Sequence, residues 1–211
     1  MSRITRLLLI RHGATPANEL RPYILQGSGI NHPLSSTGRR QVERLVQALE
    51  NTRINAVYCS PLQRALETAQ ALAKPRQLQI EAVDELIEVN VGAWEGLSWD
   101  QIRLQDPEAC QRFLENPATS PYLNGESYQD VFDRAWPAVE TIVSRHPGET
   151  IAVVAHNVVN RVCLAHLLGR SLKDAKQISQ ANTGVNVIVE EAGCFRLQTL
   201  NANLHLGEFT D

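Results

Sequence analysis

Apolar residues fall into two kinds of run along this chain. The first is short and nearly unbroken, as in "RLLLI" (Arg6–Ile10) and "TIAVVA" (Thr150–Ala155). Strands buried on both faces of a mainly parallel sheet carry this pattern. Ala56–Cys59, Gln79–Val83 and Val185–Glu190 predict further strands, and Phe195–Leu200 a sixth. The second kind repeats at helical spacing. "SSTGRRQVERLVQALE" puts Val42, Leu45, Val46 and Leu49 on one stripe. "SPLQRALETAQALA" does the same with Leu62, Ala65, Leu66, Ala69 and Leu72, and predicts Ser60 as N-cap with Pro61 in the first turn. "ESYQDVFDRAWPAVETIVSRH" predicts a third helix with Pro137 as a kink point. "NVVNRVCLAHLLG" predicts a fourth, stopped by Gly169.

Strands and helices alternate, which predicts an α/β three-layer sandwich: a mainly parallel central sheet with helices on both faces. The 211 residues suit one domain over 1–211. Residues 97–123, rich in Pro and Trp, show no strand period. They are expected to form a helical insertion over the active-site edge, a natural lid.

Composition changes this picture little, and mainly by exclusion. With 43% hydrophobic and 20% charged residues, the chain is of ordinary globular type. A formal net charge of −3 does not suit a surface for nucleic acid. No apolar run approaches a membrane span, and Leu7–Ile10 is too short for a signal peptide, so a cytoplasmic location is expected. Cys59, Cys110, Cys163 and Cys194 are scattered, which suggests neither a zinc site nor a disulfide framework.

The chemistry gathers at strand ends, where open α/β sheets bind ligands. The first strand runs into Arg11-His12-Gly13. The second leads to Ser60 and, a helical turn on, Arg64. The fourth ends at His156. A charge at the edge of a core is costly unless paired. Two arginines and two histidines beside helix N-termini therefore imply a partner from outside the protein, an anion, and a dianionic phosphate suits them better than a carboxylate. Glu88, in "LIEVNVGAWEG", adds a carboxyl group. Phosphate-ester cleavage needs a proton for the leaving oxygen and later a base for water, and one carboxyl can serve both roles.

These motifs resemble those of the histidine phosphatase superfamily, in the branch that contains the cofactor-dependent phosphoglycerate mutases. "LIRHGATPAN" is similar to RHGxTxxN, "PLSSTGRRQ" to PLTxxGxxQ, and "CSPLQRALETA" to SPLxRxxxTA. "LIEVNVGAWEG", "NGES" and "VVAHN" resemble the remaining blocks, in the family's order. The resemblance implies His12 as nucleophile and phosphohistidine former, with Arg11, Arg64 and His156 holding the transferring phosphoryl group. Glu88 would be acid and then base. Asn18, Gln26 and Gly27 would bind substrate. No metal and no cofactor are implied. Two positions depart from the pattern: Asn157 stands where the family has glycine, and Asn31 where aspartate is common.

The short chain and the "WEG" form (Trp94-Glu95-Gly96) favour a phosphatase over a phosphoglycerate mutase. Arg11, His12, Arg64, Glu88 and His156 are all present, which favours an enzyme over a non-catalytic phosphate-binding module. The tail "LNANLHLGEF" resembles that of the metal-independent phosphoserine phosphatases, and the region around Asn157 resembles the 2-carboxy-D-arabinitol-1-phosphatases. A histidine seen near the acid motif of the phosphoserine enzymes is absent here, with Val91 just before Gly92. Phosphoserine is the first expectation and a sugar-acid phosphate the second. Asn157 and His205 are expected to touch substrate, His205 from a tail (Asn203–Phe209) docked over the pocket. His32 is expected at the surface, His146 at a helix end and His166 on a helix face. The expected partner is a small-molecule phosphomonoester, with no nucleic acid and no membrane; a homodimer stays open.

Overall fold

A computed structural model of the chain describes residues 3–207. Strand β1 (Thr5–Arg11) leads through a single turn, α1 (Pro16–Glu19), to helix α2 (Ser36–Ala48). Then come β2 (Ala56–Cys59), α3 (Gln63–Ala73) and a short β3 (Ile80–Ala82). Two helices, α4 (Trp99–Gln105) and α5 (Pro107–Glu115), form the insertion. The long α6 (Tyr128–Ser144), β4 (Thr150–Ala155) and α7 (Asn157–Leu167) follow, and β5 (Val185–Glu191) and β6 (Cys194–Ala202) complete the sheet.

The sheet has 6 strands in the order β3-β2-β4-β1-β5-β6. The first four are mutually parallel, as the unbroken apolar runs predict. The β5–β6 pair is an antiparallel hairpin, and β5 also runs antiparallel to β1. Only Ala192 and Gly193 join β5 to β6, both at positive φ, 52° and 83°. So short a connection permits a hairpin and forbids the long crossover that parallel strands need.

Alternation along β1 divides the core. Leu7 and Leu9 pack with α6, α7 and the insertion; Leu8 and Ile10 pack with α2 and α3. Helices therefore cover both faces, which is the expected sandwich. The capping serines predict helix starts: Ser35, Ser98 and Ser127 each accept a backbone N–H in the first turn of α2, α4 and α6. At Gly38 the first turn of α2 presses on the loop after β1, where a Cβ would lie 2.0 Å from the Ala14 carbonyl oxygen.

Two expectations need correction, the start of α3 and the seat of the tail. Helix α3 starts at Gln63 rather than Pro61, because Ser60 N–H still donates to Val154 O in the sheet and its Oγ accepts from Leu62 N–H in a tight turn. Helix α6 runs through Pro137 without interruption. The insertion packs on the core through Trp94, which is fully buried, donates from Nε1 to Asp106, and meets the rings of Trp99, Phe113 and Tyr122. Finally, the tail turn Leu204–Leu206 lies on α2, where Arg44 donates to Leu206 O. Leu206 is buried there and Leu204 is exposed; Phe209 lies outside the described residues.

Candidate active site

Because β1, β2 and β4 are parallel, their carboxyl ends share one edge. Arg11 closes β1, and the next N–H, that of His12, still donates to Ala155 O at 3.1 Å. The His12 carbonyl accepts from Thr183 N–H at 3.2 Å and from Asn182 Nδ2 at 3.0 Å, so the backbone is fixed from both sides. The His12 Nδ1 lies 2.7 Å from Gly13 O. A carbonyl can only accept, so Nδ1 carries the hydrogen and Nε2 keeps its lone pair.

His156 is the N-cap of α7, fully buried, with its ring centroid 5.1 Å from that of His12. Neither of its ring nitrogens has a partner, and the same holds for the Nε of Arg11 and of Arg64. Buried polar nitrogens left unpaired are rare and call for an explanation. Here they surround His12, and an anion would satisfy them together. Burial, reinforced by Arg64 and Arg11, holds His12 well below the usual histidine range. Burial does the same to His156, helped by Arg64 and His12. Without ligand both rings are neutral; a bound anion favours the charged form of His156.

Arg64 sits in the first turn of α3 at 1% exposure. Its Nη1 donates to Ile30 O at 2.8 Å and its Nη2 to Gly27 O at 3.0 Å. Burial pulls the guanidinium down to about 10, against Glu88 and Glu95. Glu95 in turn accepts from Gly27 N–H at 2.6 Å and Gly29 N–H at 3.0 Å. Gly27 therefore braces Arg64 from behind, with its own amide occupied. Like Arg64 and His156, it is not among the residues that line the cavity.

Glu88 is 4% exposed and seats on the start of α7: one carboxylate oxygen accepts from Asn157 N–H at 3.0 Å and Val158 N–H at 3.3 Å. Its loop is held by Arg134, which donates to Ile87 O at 2.7 Å and pairs with Glu126 at 2.8 and 3.0 Å. The "NGES" motif thus acts on Glu88 at a distance. Asn18 has its Oδ1 engaged by Thr15 N–H at 3.1 Å, leaving Nδ2 as donor. Gln26 accepts from the Thr15 hydroxyl at 2.7 Å.

Arg11, His12, Asn18, Gln26, Glu88 and Asn157 line a cavity of about 310 Å³. The Asn157 Oδ1 is buried there without a partner. The cavity is also lined by residues that the sequence motifs do not single out: Tyr23, Trp99, Tyr122, Tyr128 and Arg161. Arg161 had a signal, since it follows Asn157 by one helical turn on the same face. A larger groove of about 600 Å³ borders β3 and α6, but its Glu81, Asp84, Glu85 and Asp133 would repel a phosphate. Among the described residues, no His, Cys, Asp and Glu side chains are grouped as a metal would need.

His205 is not at the cavity. Its Nε2 meets the Thr183 hydroxyl at 2.9 Å, and it borders a separate hollow beside Arg44. Thr183 N–H holds the Arg11 and His12 carbonyls, so His205 stands behind the strand end, and its expected contact with substrate is corrected to a backing position. His32 is exposed, as expected. His146 just beyond α6 bridges Tyr58 and Glu149, and His166 on α7 packs between the Phe132 and Trp136 rings.

Such a site can hold a phosphoryl group on fixed cations, offer it a neutral imidazole nitrogen and exchange protons through one carboxyl. The comparisons agree with that chemistry. Residues 7–203 match the model of the histidine phosphatase superfamily, branch 1. Phosphoserine phosphatase 1 of Hydrogenobacter thermophilus is 31% identical over 207 residues, 98% of this chain and 96% of that protein. The metal-independent phosphoserine phosphatase of Arabidopsis thaliana is 35% identical over 164 residues, 76% of this chain and 67% of that one. Among solved structures, Bacillus stearothermophilus YhfR superposes with a TM-score of 0.89 at 34% identity, over 96% of this chain and 99% of that one.

Proposed function

This chain belongs to branch 1 of the histidine phosphatase superfamily, and from that premise we propose that it is a phosphomonoesterase that works without a metal, through a phosphohistidine at His12, on a small carboxylate-bearing ester, first of all phosphoserine. His12 Nε2 attacks phosphorus as the ester oxygen departs, and that oxygen takes its proton from Glu88. Glu88 then removes a proton from water, the water oxygen attacks phosphorus, and the P–N bond breaks to return neutral His12 and inorganic phosphate. Arg11, Arg64 and His156 stabilise the charge on the equatorial oxygens, the work a metal ion does elsewhere.

The observation that carries this reading is the set of unpartnered buried nitrogens on His156, Arg11 and Arg64 around the free Nε2 of His12. Cavity size supports a small ester: about 310 Å³ lies at the low end of ligand sites. The names of the two phosphoserine relatives support the substrate, and the Arabidopsis one the metal independence. The test is phosphate release from phosphoserine and p-nitrophenyl phosphate, with brief exposure to substrate followed by a search for acid-labile protein-bound phosphate. Both should be present in the wild type, and turnover should fall by several orders of magnitude in His12→Ala. Retention of most activity by His12→Ala refutes the mechanism.

A further inference from the structure

Resting on that phosphatase reading, we propose that Arg161, together with the hydroxyls of Tyr122 and Tyr128, forms the subsite that binds the carboxylate of the leaving group. Helix α7 connects the two halves of the site. His156 caps it and Asn157 opens it beside Glu88. Arg161 follows four residues later on the same face, ~6 Å farther along the axis. The phosphoryl group and Arg161 are thus separated by about one helical turn, the reach of a leaving group with a two- or three-carbon chain.

Arg161 is held for such a role. Its Nε donates to Ile178 O at 2.8 Å, which fixes the plane of the guanidinium. The Tyr128 hydroxyl lies close enough to Arg161 and Tyr122 to interact with both. Both tyrosines are 3% exposed and both line the cavity. Burial raises both phenols above their ordinary range, so both stay protonated. Among the described residues no ion pair involves Arg161, and the only carboxylate lining the cavity is Glu88, which is engaged by the N–H groups of Asn157 and Val158. A partly buried cation without an anion is costly, and a ligand carboxylate offsets that cost with the bidentate geometry arginine favours. Of the other lining residues Trp99, Phe113 and Leu114 are apolar, and Lys176 is exposed with its Nζ donating to Leu114 O.

The test compares O-phosphoserine with O-phosphoethanolamine, the same ester without the carboxylate. Wild-type kcat/KM should favour phosphoserine by tenfold or more. Calorimetric binding to the His12→Ala protein should show the same preference in Kd, with no dependence on turnover. Arg161→Gln should bring the two esters to within twofold of each other, and Tyr128→Phe should reduce the preference in part, which serves should Arg161→Gln fail to fold. A role that only supports the fold would depress both esters alike and leave their ratio intact. Equal handling of the two esters by the wild type, or an unchanged ratio in the variants, overturns the subsite while leaving the phosphatase reading in place. Failure to bind or hydrolyse any phosphate ester overturns both.

Discussion

Glu95 touches no cavity atom, yet its removal should cost catalysis. Glutamine keeps its length and halves its accepting capacity. The carboxylate now accepts from Gly27 N–H at 2.6 Å and Gly29 N–H at 3.0 Å. In Glu95→Gln one of these donors keeps an oxygen and the other meets an amide NH2. Losing a bond to a charged acceptor costs about 1.5–3 kcal/mol, which for a chain of this size lowers Tm by ~3–12 °C. The catalytic loss follows from what the loop carries. The carbonyls of Gly27 and Ile30 hold the two terminal nitrogens of Arg64, at 3.0 and 2.8 Å. A 1 Å displacement of a positioning group can cost on the order of 10² in rate. Arg64 keeps its charge in the variant, so kcat for p-nitrophenyl phosphate should fall by about 10–100-fold with a smaller change in KM. The same substitution on an Arg64→Lys background should add little, since both act on one contact. A variant with the melting shift but kcat within twofold of wild type would show that Arg64 is not held through this loop.

Three further expectations concern the chemistry. His12 and His156 are held well below the usual 6.5 chiefly by burial, so the acid limb of kcat/KM due to His12 should lie well below pH 6.5; a limb at 6.5 or above contradicts that. The same shifts make stability pH-dependent: the unfolded chain binds more protons below about 6.5, so chemical-denaturation ΔG should be full above that pH and decline as pH falls through it. EDTA should leave kcat unchanged and magnesium should not raise it, and a strict requirement restored by one divalent ion would reassign the roles of the arginines. Glu88→Gln should slow phosphorylation of the enzyme by phosphoserine about two orders of magnitude more than by p-nitrophenyl phosphate, whose leaving group needs no proton; equal losses in that step would leave Glu88 only its seat on α7.

The parts of this protein legible in its sequence are those set by burial on both sides. "RLLLI" and "TIAVVA" admit one interpretation because central parallel strands have no polar face, and once those strands alternate with helices their carboxyl ends must share an edge. Arg11, His12 and His156 follow the strands directly, and Arg64 lies one turn into the next helix, so their convergence could be deduced. The surroundings of Gly27 and His205 are not legible for the opposite reason. Each lies in a segment whose path is decided by distant partners: Glu95 and Arg64 for the loop at Gly27, Thr183 and Arg44 for the turn at His205. Nothing local encodes such a path. The start of α3 failed similarly, because a sheet bond from Ser60 N–H to Val154 O outweighed the capping preference of a serine before a proline.

The motif residues that do not reach the cavity share one physical task. Loops at the carboxyl edge of a parallel sheet leave backbone N–H groups that no strand accepts. Gln41 accepts from Ala14 N–H at 2.9 Å, steadying the loop after His12. Glu95 accepts from Gly27 and Gly29 and so fixes Arg64, while Glu126 accepts from Asn90 N–H at 2.8 Å beside Glu88. One long polar side chain, sent from a helix or a turn, thus stabilises each loop that presents a reacting group. That division separates two kinds of variant. Loss of Gln41 or Glu95 loosens groups that meet the phosphoryl oxygens, which every phosphomonoester shares, and so lowers turnover of all esters in proportion. Arg161 meets a part of the substrate that not every ester has, and so its loss changes the order in which they are preferred.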